Sequence, residues 1–312
     1  MSRPADDGAP LRVVLAEEWS GRRADEAVLR SFPSFSRREV KELFEAGRVR
    51  GFGRRLKKGD RVTHGMELSV EAPSVPIVPD PSIPLVVLFE SEDFVIVDKP
   101  AGLPSAPLVR TETRSLAAAL LARYPEMSGV GFREREPGLV HRRDNETSGV
   151  LLAARSQPAF QAARSLFESS LLEKRYLAVV SADVPETGEL QTLLGPDKAD
   201  ARRVRVCEPG DGYSKLSRTS YRVRCRGPRF ALVELSVERA FRHQIRVHLA
   251  QLGYPIAGDV VYGGAVVPEL GERHALHASY IAWAGDAARA GFRAEAGLPA
   301  ELAALVGGLA GG

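Results

Sequence analysis

The first seventy residues combine a helical hydrophobic pattern with short alternating runs. Behind Ser36 the apolar residues recur at helical spacing, at Val40, Leu43 and Phe44. Ser36 and Glu39 also have the spacing of a capping box, which satisfies free backbone N–H groups at a helix start. We therefore predict a helix from Ser36 and another over residues 21–32. The alternating runs at 48–50 and 61–70 predict short strands.

Past residue 84 the pattern changes to short apolar runs that are typical of strands. Residues 85–89 and 94–97 are separated by four polar residues, which predicts a hairpin. Further strands are expected at 150–154, 174–180 and 230–238. Helical spacing predicts helices at 158–167 and 243–252. Because the strands follow one another without regular crossover helices, the sequence predicts an α+β fold with a largely antiparallel sheet.

A proline-rich stretch divides the chain. Five of the 21 prolines lie between Pro73 and Pro84, in the sequence PSVPIVPDPSIP. Proline fixes φ and removes a backbone donor, so this stretch predicts an extended spacer. The last residues are rich in alanine and glycine, which predicts at most one short helix before a frayed terminus. The expected parts are a flexible N-terminus (1–11), a small α/β domain (12–72), a linker (73–84), a large α+β domain (85–286) and a C-terminal tail (287–312).

Composition excludes several classes of protein. With 312 residues, 44% of them hydrophobic and 27% charged, the chain is typical of a soluble globular protein. Its apolar runs fall far short of the ~20 residues that cross a bilayer, and its first ten residues lack the apolar stretch of a signal peptide. We therefore expect a cytoplasmic protein without a membrane partner. The two cysteines, Cys207 and Cys225, are too few for a cysteine-based zinc site, and we expect both to be reduced.

The charge distribution is uneven, although the formal net charge is only +3. Between Arg37 and Arg61 there are ten basic and four acidic residues, and between Arg202 and Arg229 there are nine and two. Two basic patches on an acidic remainder indicate contact with a polyanion at chosen places. The alternative interpretation of each patch is a solvated surface.

The second basic patch has a strand-like alternation. In residues 203–207 and 221–226 arginines alternate with apolar residues, and turn-forming residues stand at 209–212. This pattern predicts a two-stranded ribbon with its arginines on one face. We expect Arg222 and Arg224 to contact RNA phosphates, and the alternative is again a solvated face.

Four segments of the large domain point to a particular chemistry. They are DKPAGLP (98–104), HRRDNETSGVLLAARS (141–156), EKRYLAVV (173–180) and RHQIRVHLAQLGYPIAGDVVYG (242–263). In this order they resemble the RluA-like pseudouridine synthases of the ribosomal large-subunit type. The resemblance implies an enzyme that isomerises uridines of structured RNA to pseudouridine. We expect no cofactor, no metal and a monomer, with large-subunit ribosomal RNA preferred over transfer RNA as the target.

The small domain carries a second resemblance. The segments SRREVKELFEAGRVR (36–50) and KKGDRV (57–62) resemble the RNA-binding domain of the ribosomal S-four type, over residues 12–72. The resemblance implies that the helix from Ser36 and the loop around residues 54–58 bind the RNA backbone. The cations expected to do so are Arg37, Arg38, Lys41, Arg54, Arg55, Lys57 and Lys58.

The resemblance to the synthases also implies catalytic roles. Asp144 matches the catalytic aspartate, Tyr176 the tyrosine that stacks on the base, and Arg246 the arginine that pairs with the aspartate. The reaction breaks the glycosidic C–N bond, turns the uracil and joins its C5 to the same sugar. One ionised carboxylate is enough, either as a nucleophile at the anomeric carbon or as a base for the sugar 2′ proton. An adjacent guanidinium would favour the ionised form.

Further residues are assigned to substrate binding. Arg142 matches the arginine that replaces the displaced nucleotide in the RNA stack, and Leu276 an apolar residue of the pocket. The remaining two assignments are His141 and Lys99. The chain departs from the family at Arg143, where leucine is usual, and at residues 240–242, where glycine, a basic residue and threonine are usual. These departures bear on the identity of the RNA target more than on the expected chemistry.

Three other functions are weighed against this interpretation. A metal enzyme is disfavoured because His243 and His248 are five residues apart, whereas two ligands on one helix face are four apart. A nucleoside hydrolase or base glycosylase also attacks an anomeric carbon, but glycosidases generally use two carboxylates, and only Glu146 shares the loop of Asp144. The third is an RNA-binding module without catalytic activity.

Overall fold

The computed structural model describes residues 10–32, 35–71, 77–107, 112–133, 135–197, 199–200, 203–211 and 213–307. The chain divides into two units, Met1–Val78 with Ser128–Pro137 and Pro79–Met127 with Gly138–Gly312. Most of the expected flexible N-terminus, part of the linker and the end of the tail lie outside the described residues. Within the described ranges no helix has both the length and the apolar character that a membrane span requires.

The first unit contains a four-stranded antiparallel sheet and two helices. Its elements are β1 (Leu11–Val14), α1 (Ala24–Ser31), α2 (Arg37–Glu45), β2 (Val49–Gly51), β3 (Arg54–Arg55) and β4 (Glu67–Val70). The strand order is β1-β4-β2-β3. The predicted capping box begins α2, because the Ser36 hydroxyl accepts the Glu39 N–H and the Glu39 carboxylate accepts the Ser36 N–H. Both helix predictions are confirmed, whereas β1 and β3 were not predicted.

The second unit is built on one ten-stranded sheet. Its elements are β5 (Val86–Glu90), β6 (Phe94–Lys99), α3 (Leu116–Arg123), β7 (Ser148–Ala154), α4 (Gln157–Glu168), β8 (Glu173–Ser181), β9 (Thr187–Pro196), β10 (Val204–Cys207), β11 (Lys215–Arg226), β12 (Phe230–Val237), α5 (Gln244–Gln251), β13 (Leu276–Gly285), β14 (Ala290–Glu295) and α6 (Ala300–Leu305). The strand order is β10-β9-β11-β12-β8-β13-β7-β6-β5, and β14 pairs with β13. Of the described strand pairs only β13 with β7 is parallel, so the predicted α+β fold with a largely antiparallel sheet is confirmed.

Strand β7 lies in the core and leads directly out of the polar loop at 141–147. All seven of its residues are buried, as an unbroken apolar run predicts for a strand covered on both faces. Gly149 in this strand has φ +105°, and a Cβ there would lie 2.1 Å from the Ala278 carbonyl oxygen of β13. A larger residue would push the two strands apart, so the glycine fixes how the loop leaves the sheet.

The predicted arginine ribbon is wrong. Strand β10 pairs with β9, and β9 lies between β10 and β11, so the two arginine-bearing runs are not neighbours. The turn residues that follow β10 therefore do not close a two-stranded hairpin. The pattern identified two strands correctly, but alternation alone carries no information about which strands pair.

The expectation for the C-terminal tail is wrong in one respect: it allowed the short helix that is present, but not a strand. Residues Ala290–Glu295 form β14, which continues the sheet beyond β13, and α6 follows with Leu302 fully buried. The phenyl ring of Phe292 packs against the rings of Phe94 and Trp283, with centroids 5.5 and 5.7 Å away. Because the segment is rich in alanine and glycine, its composition did not predict a strand. The aromatic ring of Phe292 packs this strand against the core.

Candidate active site

The loop that carries Asp144 is held by contacts from a neighbouring turn. Lys99 at the end of β6 is fully buried, and its ammonium donates to three backbone carbonyls at 2.8–2.9 Å, one of them that of Asn145. The Ser105 hydroxyl accepts the Arg143 N–H at 3.1 Å and lies 3.2 Å from the Arg143 carbonyl oxygen. The residues on both sides of Asp144 are thus tied to the protein through their backbones.

Arg246 on α5 lies between two carboxylates. Its Nη1 donates to Oδ2 of Asp144 at 2.8 Å, while Nε and Nη2 donate to the two oxygens of Asp259 at 2.7 and 2.8 Å. Arg246 is only 6% exposed and Asp259 2%. The predicted pairing of Arg246 with Asp144 is present, and the bidentate bond to Asp259 fixes the plane of the guanidinium toward Asp144.

This arrangement keeps Asp144 ionised. Burial alone would raise the pKa of its carboxyl, but hydrogen bonds from His243 and Arg246 and the charge of Arg246 outweigh it and hold that pKa well below the usual value. Burial opposes the charge on Arg246 as well, yet the two carboxylates raise the pKa of its guanidinium above its ordinary value. The pair is therefore a permanent carboxylate–guanidinium ion pair near neutral pH.

One further side chain reaches Asp144 and is itself in contact with a tyrosine. His243, which directly precedes α5, has its Nε2 3.4 Å from Oδ1 of Asp144. Its Nδ1 lies 2.8 Å from the Tyr262 hydroxyl. The sequence reasoning assigned no role to Tyr262 or Asp259, although both lie in the segment 242–263 that carried the resemblance. Only their position within that segment could have indicated a role for these two residues from the sequence.

Tyr176 and Leu276 lie on adjacent strands of the same sheet. Tyr176 on β8 is 8% exposed, and Leu276 at the start of β13 is 5% exposed and pairs with Ala178. The guanidinium of Arg143 lies over the Tyr176 ring, 5.2 Å from its centroid, and its Nε donates to the Val150 carbonyl. Arg143 thus connects the Asp144 loop to the ring that was predicted to stack on the base.

Comparison with known proteins identifies the family of this site. The sequence model of the RNA pseudouridylate synthases matches residues 93–251, which contain Asp144, Tyr176 and Arg246. The chain belongs to the RNA pseudouridine synthases. An uncharacterized RNA pseudouridine synthase of Chloroflexus aurantiacus is 35% identical over 86% of this chain and 84% of its own. The ribosomal large subunit pseudouridine synthase D of Xanthomonas campestris pv. campestris is 31% identical over 97% of this chain and 93% of its own.

Solved structures support the same assignment of fold. Human RNA pseudouridylate synthase domain containing 1 superimposes with a TM-score of 0.55 and 25% identity, over 74% of this chain and 87% of that one. Human RNA pseudouridylate synthase domain containing 4 gives a TM-score of 0.56 at 22% identity, over 71% and 92%. The resemblance to RluA-like synthases stated from sequence is confirmed, and with it an isomerase acting on RNA. The S-four resemblance of residues 12–72 stays a prediction.

Two residues assigned to substrate binding make contacts inside the protein, and their assignment stays a prediction. The Nε2 of His141 accepts the Leu152 N–H at 3.1 Å, and its ring packs on Phe167 with centroids 4.4 Å apart. Burial keeps the pKa of His141 well below its usual value, which agrees with a neutral acceptor nitrogen. Lys99 uses its three ammonium N–H groups on carbonyls, and burial lowers its pKa to about 7. Both side chains support the loop of the synthase from inside.

The residues predicted to contact RNA are on the surface. Arg142 is exposed and directly precedes Arg143 and Asp144. In the first unit all seven predicted cations are exposed, and four of them, Lys41, Arg55, Lys57 and Lys58, line a cleft of about 510 Å³ between α2 and the loop at β3. On β11, Arg222 and Arg224 are exposed but pair with Glu234, at 2.7 and 3.4 Å. Whether these side chains contact RNA stays a prediction.

Two buried histidines of the second unit, His274 and His277, are engaged by hydroxyl groups. Thr147 lies 2.8 Å from Nε2 of His274, and Ser148 lies 2.9 Å from Nδ1 of His277. Burial lowers the pKa of both imidazoles to about 4, so both are neutral near pH 7. In the described part of the chain no three His, Cys, Asp or Glu side chains are grouped as metal ligands. These histidines pack the strand that follows the loop and complete its hydrogen bonds.

A second cleft lies behind the loop. It has a volume of about 950 Å³, and its lining includes Lys99, Glu146, Arg273 and Glu301, but not Asp144, Tyr176 or Arg246. Arg273 is already paired with Glu301 at 2.5 Å and donates to Ser148 at 3.0 Å. Lys99 and Arg273 in this cleft are thus paired within the protein, and the ion pair of Asp144 and Arg246 lies outside its lining.

Proposed function

We propose that the chain isomerises uridines of large-subunit ribosomal RNA with Asp144 as its catalytic carboxylate. The observation that carries the proposal is the bond of 2.8 Å from Arg246 to Asp144, which holds an ionised carboxylate in a largely buried site. Relatives over nearly the whole chain are named ribosomal large subunit pseudouridine synthase D, which supports the ribosomal target.

The ionised carboxylate suits both routes to the same product. In one, an oxygen of Asp144 attacks the anomeric carbon as the bond from C1′ to N1 breaks, and the uracil leaves with the bonding electrons. In the other, Asp144 takes the 2′ proton of the sugar as that bond breaks. In both, the uracil turns and its C5 bonds to C1′. In the first route the bond from Asp144 to C1′ breaks as this bond forms, and in the second Asp144 returns the proton to C2′. The C5 proton is then lost and N1 gains a proton. No outside oxidant or reductant is required.

The detached uracil must stay in the site while it turns. Tyr176 supplies an aromatic face and Leu276 an apolar wall on the neighbouring strand, and both are nearly excluded from water. A dry pocket strengthens the ion pair and slows escape of the polar ring. In this proposal Arg143 fixes the Tyr176 ring from one side and leaves the other for the base.

The target nucleotide must leave its stack to reach Asp144, which costs a few kcal/mol unless it is already unpaired. We assign to Arg142 the task of filling the vacancy, because its exposed side chain stands two residues before Asp144 and a guanidinium plane can stack on bases. Arg142→Lys keeps the charge and loses the plane. We expect it to lower kcat/KM about tenfold, and equal activity would contradict the assignment.

The first unit is proposed to bind RNA as an S-four type domain. Four of its exposed cations, Lys41, Arg55, Lys57 and Lys58, line one cleft. Such a cluster neutralises phosphates without reading sequence. Replacing Arg55, Lys57 and Lys58 by glutamine in the full chain should raise KM for RNA and flatten its salt dependence while kcat stays near the wild-type value.

Tritium release tests the central proposal. Ribosomal and transfer RNA transcripts carrying uridine tritiated at C5 are incubated with the full chain. A synthase releases tritium to water with the base still attached, a glycosylase frees uracil, and a protein that only binds does neither. Mapping the modified positions identifies the target.

Variants of the loop complete the test. We expect Asp144→Ala and Asp144→Asn to abolish tritium release, while Glu146→Gln in the same loop retains it. Normal turnover by Asp144→Ala would overturn the proposal. Release from transfer RNA but not from ribosomal RNA would overturn the target and leave the role of Asp144 intact.

A further inference from the structure

A chain of hydrogen-bonding groups runs from a backbone amide to Asp144. The Val204 N–H donates to the Tyr262 hydroxyl oxygen at 2.8 Å, and that oxygen lies 2.8 Å from Nδ1 of His243. The other ring nitrogen of His243, Nε2, lies 3.4 Å from Oδ1 of Asp144. Arg246 bonds to the other oxygen, Oδ2, so both oxygens of the carboxylate have a nitrogen beside them.

One arrangement of protons provides a donor and an acceptor for each bond along this chain. Because the Val204 amide can only donate, it takes one lone pair of the Tyr262 oxygen and leaves the hydroxyl proton to point elsewhere. In this arrangement the hydroxyl donates to Nδ1 of His243, 2.8 Å away. Burial raises the pKa of Tyr262, so the phenol keeps that proton near neutral pH. An imidazole that accepts at Nδ1 carries its single proton at Nε2, which faces Asp144.

The backbone at His243 is also unusual. His243 has φ +55° and ψ +12°, a left-handed conformation that non-glycine residues seldom adopt. It stands at the start of α5, yet its side chain makes no capping bond to the helix and points instead to Tyr262 and Asp144. The turn is held by neighbours, since Phe241 N–H donates to the Gln244 side chain at 2.9 Å. A strained conformation that serves no cap is typical of a functional position.

We infer that His243 and Tyr262 are positioning residues for Asp144: the tyrosine hydroxyl holds a neutral imidazole with its proton on Nε2, and this N–H restrains Oδ1 while Arg246 restrains Oδ2. The inference rests on the proposed function, because it concerns the orientation of the carboxylate that we assign to catalysis. With a donor at each oxygen, the carboxylate cannot rotate about its last bond. The carboxylate is therefore held in one orientation by side chains on both of its oxygens.

A role in orientation predicts a particular kinetic pattern. Neither His243 nor Tyr262 was expected to contact RNA, and the Tyr262 side chain is nearly excluded from water. Loss of either should therefore lower kcat and leave KM for RNA unchanged. The loss expected on removal of one hydrogen bond to a carboxylate is about ten- to hundredfold in kcat.

The first test is spectroscopic and independent of activity. In the full chain labelled with ¹⁵N at histidine, a long-range ¹H–¹⁵N spectrum distinguishes a protonated from an unprotonated ring nitrogen, and His243→Asn assigns the signals. We expect Nε2–H and bare Nδ1 at His243, and a mixture of tautomers in Tyr262→Phe. His248, whose ring nitrogens bond to Thr219 and Thr192, serves as the internal reference and should not change. A proton on Nδ1 in the wild type, or an unchanged spectrum in Tyr262→Phe, would overturn the inference.

The second test is kinetic. His243→Asn suits it, because asparagine tolerates positive φ better than most residues but is too short to place a donor at Oδ1. We expect kcat to fall and KM to stay constant in His243→Asn and in Tyr262→Phe, and the double variant to lose little more than His243→Asn alone. Additive losses would show that the two residues act separately and would overturn the inference.

The two proposals fail in different ways. If Asp144→Ala is inactive but the imidazole proton is on Nδ1, Asp144 keeps its catalytic role and the positioning role falls. If Asp144→Ala is fully active, the proposed function falls whatever the spectrum shows. Tyr262→Phe also removes the partner of the Val204 amide, so its melting temperature is measured beside that of Tyr254→Phe. Should Tyr262→Phe fail to fold, His243→Asn and the wild-type spectrum still decide the question.

Discussion

Two arginine–carboxylate pairs in the second unit have nearly the same geometry and very different surroundings. Arg246 binds Asp259 through Nε and Nη2 at 2.7 and 2.8 Å, and Arg218 binds Glu189 through the same atoms at 2.8 and 2.8 Å. The side chains of the first pair are 7% and 1% exposed, whereas those of the second are 51% and 47% exposed. Geometry alone therefore does not distinguish a pair at the active site from a pair on the surface.

The difference teaches what each pair can do. In water an exposed pair contributes about 0–1 kcal/mol to the free energy of unfolding, because solvent and salt screen it. A buried pair loses the hydration of both ions, so it is weak evidence for stabilisation. Arg246 has a third bond, to Asp144, and Asp259 holds the guanidinium in the plane that this bond requires. We interpret Asp259 as the residue that holds the charge of Arg246 beside Asp144. The surface pair is part of a solvated face.

Arg246→Met should have the largest effect. It removes the cation from Asp144 and Asp259 and leaves two carboxylates unpaired, which should lower the free energy of unfolding by about 3–5 kcal/mol. We expect kcat to fall at least about a hundredfold. Urea denaturation and tritium release measure the two quantities. The matched control is Arg218→Met, for which we expect less than about 1 kcal/mol and full activity. Equal losses in the two variants would show that burial does not distinguish the two ion pairs.

The comparison extends to buried groups that are neutral. Burial lowers the pKa of His248, His274 and His277 to about 4, below their usual value of about 6.5. Between these values the unfolded chain binds more protons than the folded chain, so the free energy of unfolding falls as the pH is lowered from 6.5 toward 4. From pH 7 to pH 5 we expect a loss of about 1–2 kcal/mol per histidine. Exposed ion pairs such as Arg218–Glu189 should contribute nothing in that window.

Urea denaturation at a series of pH values checks this prediction. His248→Asn provides the sharpest comparison, because His248 lies on α5 away from the Asp144 loop and contacts two threonines. This variant should show a smaller decrease between pH 7 and pH 5 than the wild type. A wild-type stability that is flat over that range would mean that the buried histidines are protonated in the folded protein.

Local patterns predicted local structure well. The capping box at Ser36, the hairpin of β5 and β6 and the apolar run of β7 all depend on residues close in sequence, and all three are present. By contrast, β9 lies between β10 and β11, and this depends on which edges meet in three dimensions. Alternation is the same for every strand of a sheet, so it could not exclude the hairpin that we expected.

The candidate site likewise contains features that the sequence could predict and features that it could not. Asp144 and Arg246 are 102 residues apart, and no local pattern joins them, so their pairing could be expected only from the family resemblance. Asp259 and Tyr262 stand in an ordinary turn and have no distinguishing spacing. Lys99 was assigned to substrate binding, and no sequence pattern indicated that it donates inward to three carbonyls. Residues that support a site are thus harder to predict than residues that perform its chemistry.

Arg143 is intermediate between the buried and the exposed cations. Its guanidinium lies over the Tyr176 ring and its Nε donates to the Val150 carbonyl at 2.7 Å. Arg143→Leu removes both contacts but keeps an apolar side chain over the ring, so we expect a loss of about 1–2 kcal/mol in unfolding free energy. We also expect KM for RNA to change more than kcat. Measuring both on ribosomal transcripts checks this, and an unchanged KM would confine Arg143 to a structural role.

The smallest effect is expected on β11. Arg224 lies 3.4 Å from Glu234, and Arg222 lies closer to the same carboxylate, at 2.7 Å, so Arg224→Gln leaves Glu234 paired. We expect the free energy of unfolding to change by less than about 0.5 kcal/mol. If Arg224 contacts a phosphate, the slope of log affinity against log salt concentration should fall by about 0.7–0.9. Filter binding of ribosomal RNA fragments between low and moderate salt measures that slope. We predict the decrease, and an unchanged slope would assign this arginine, like Arg218, to a face that only water covers.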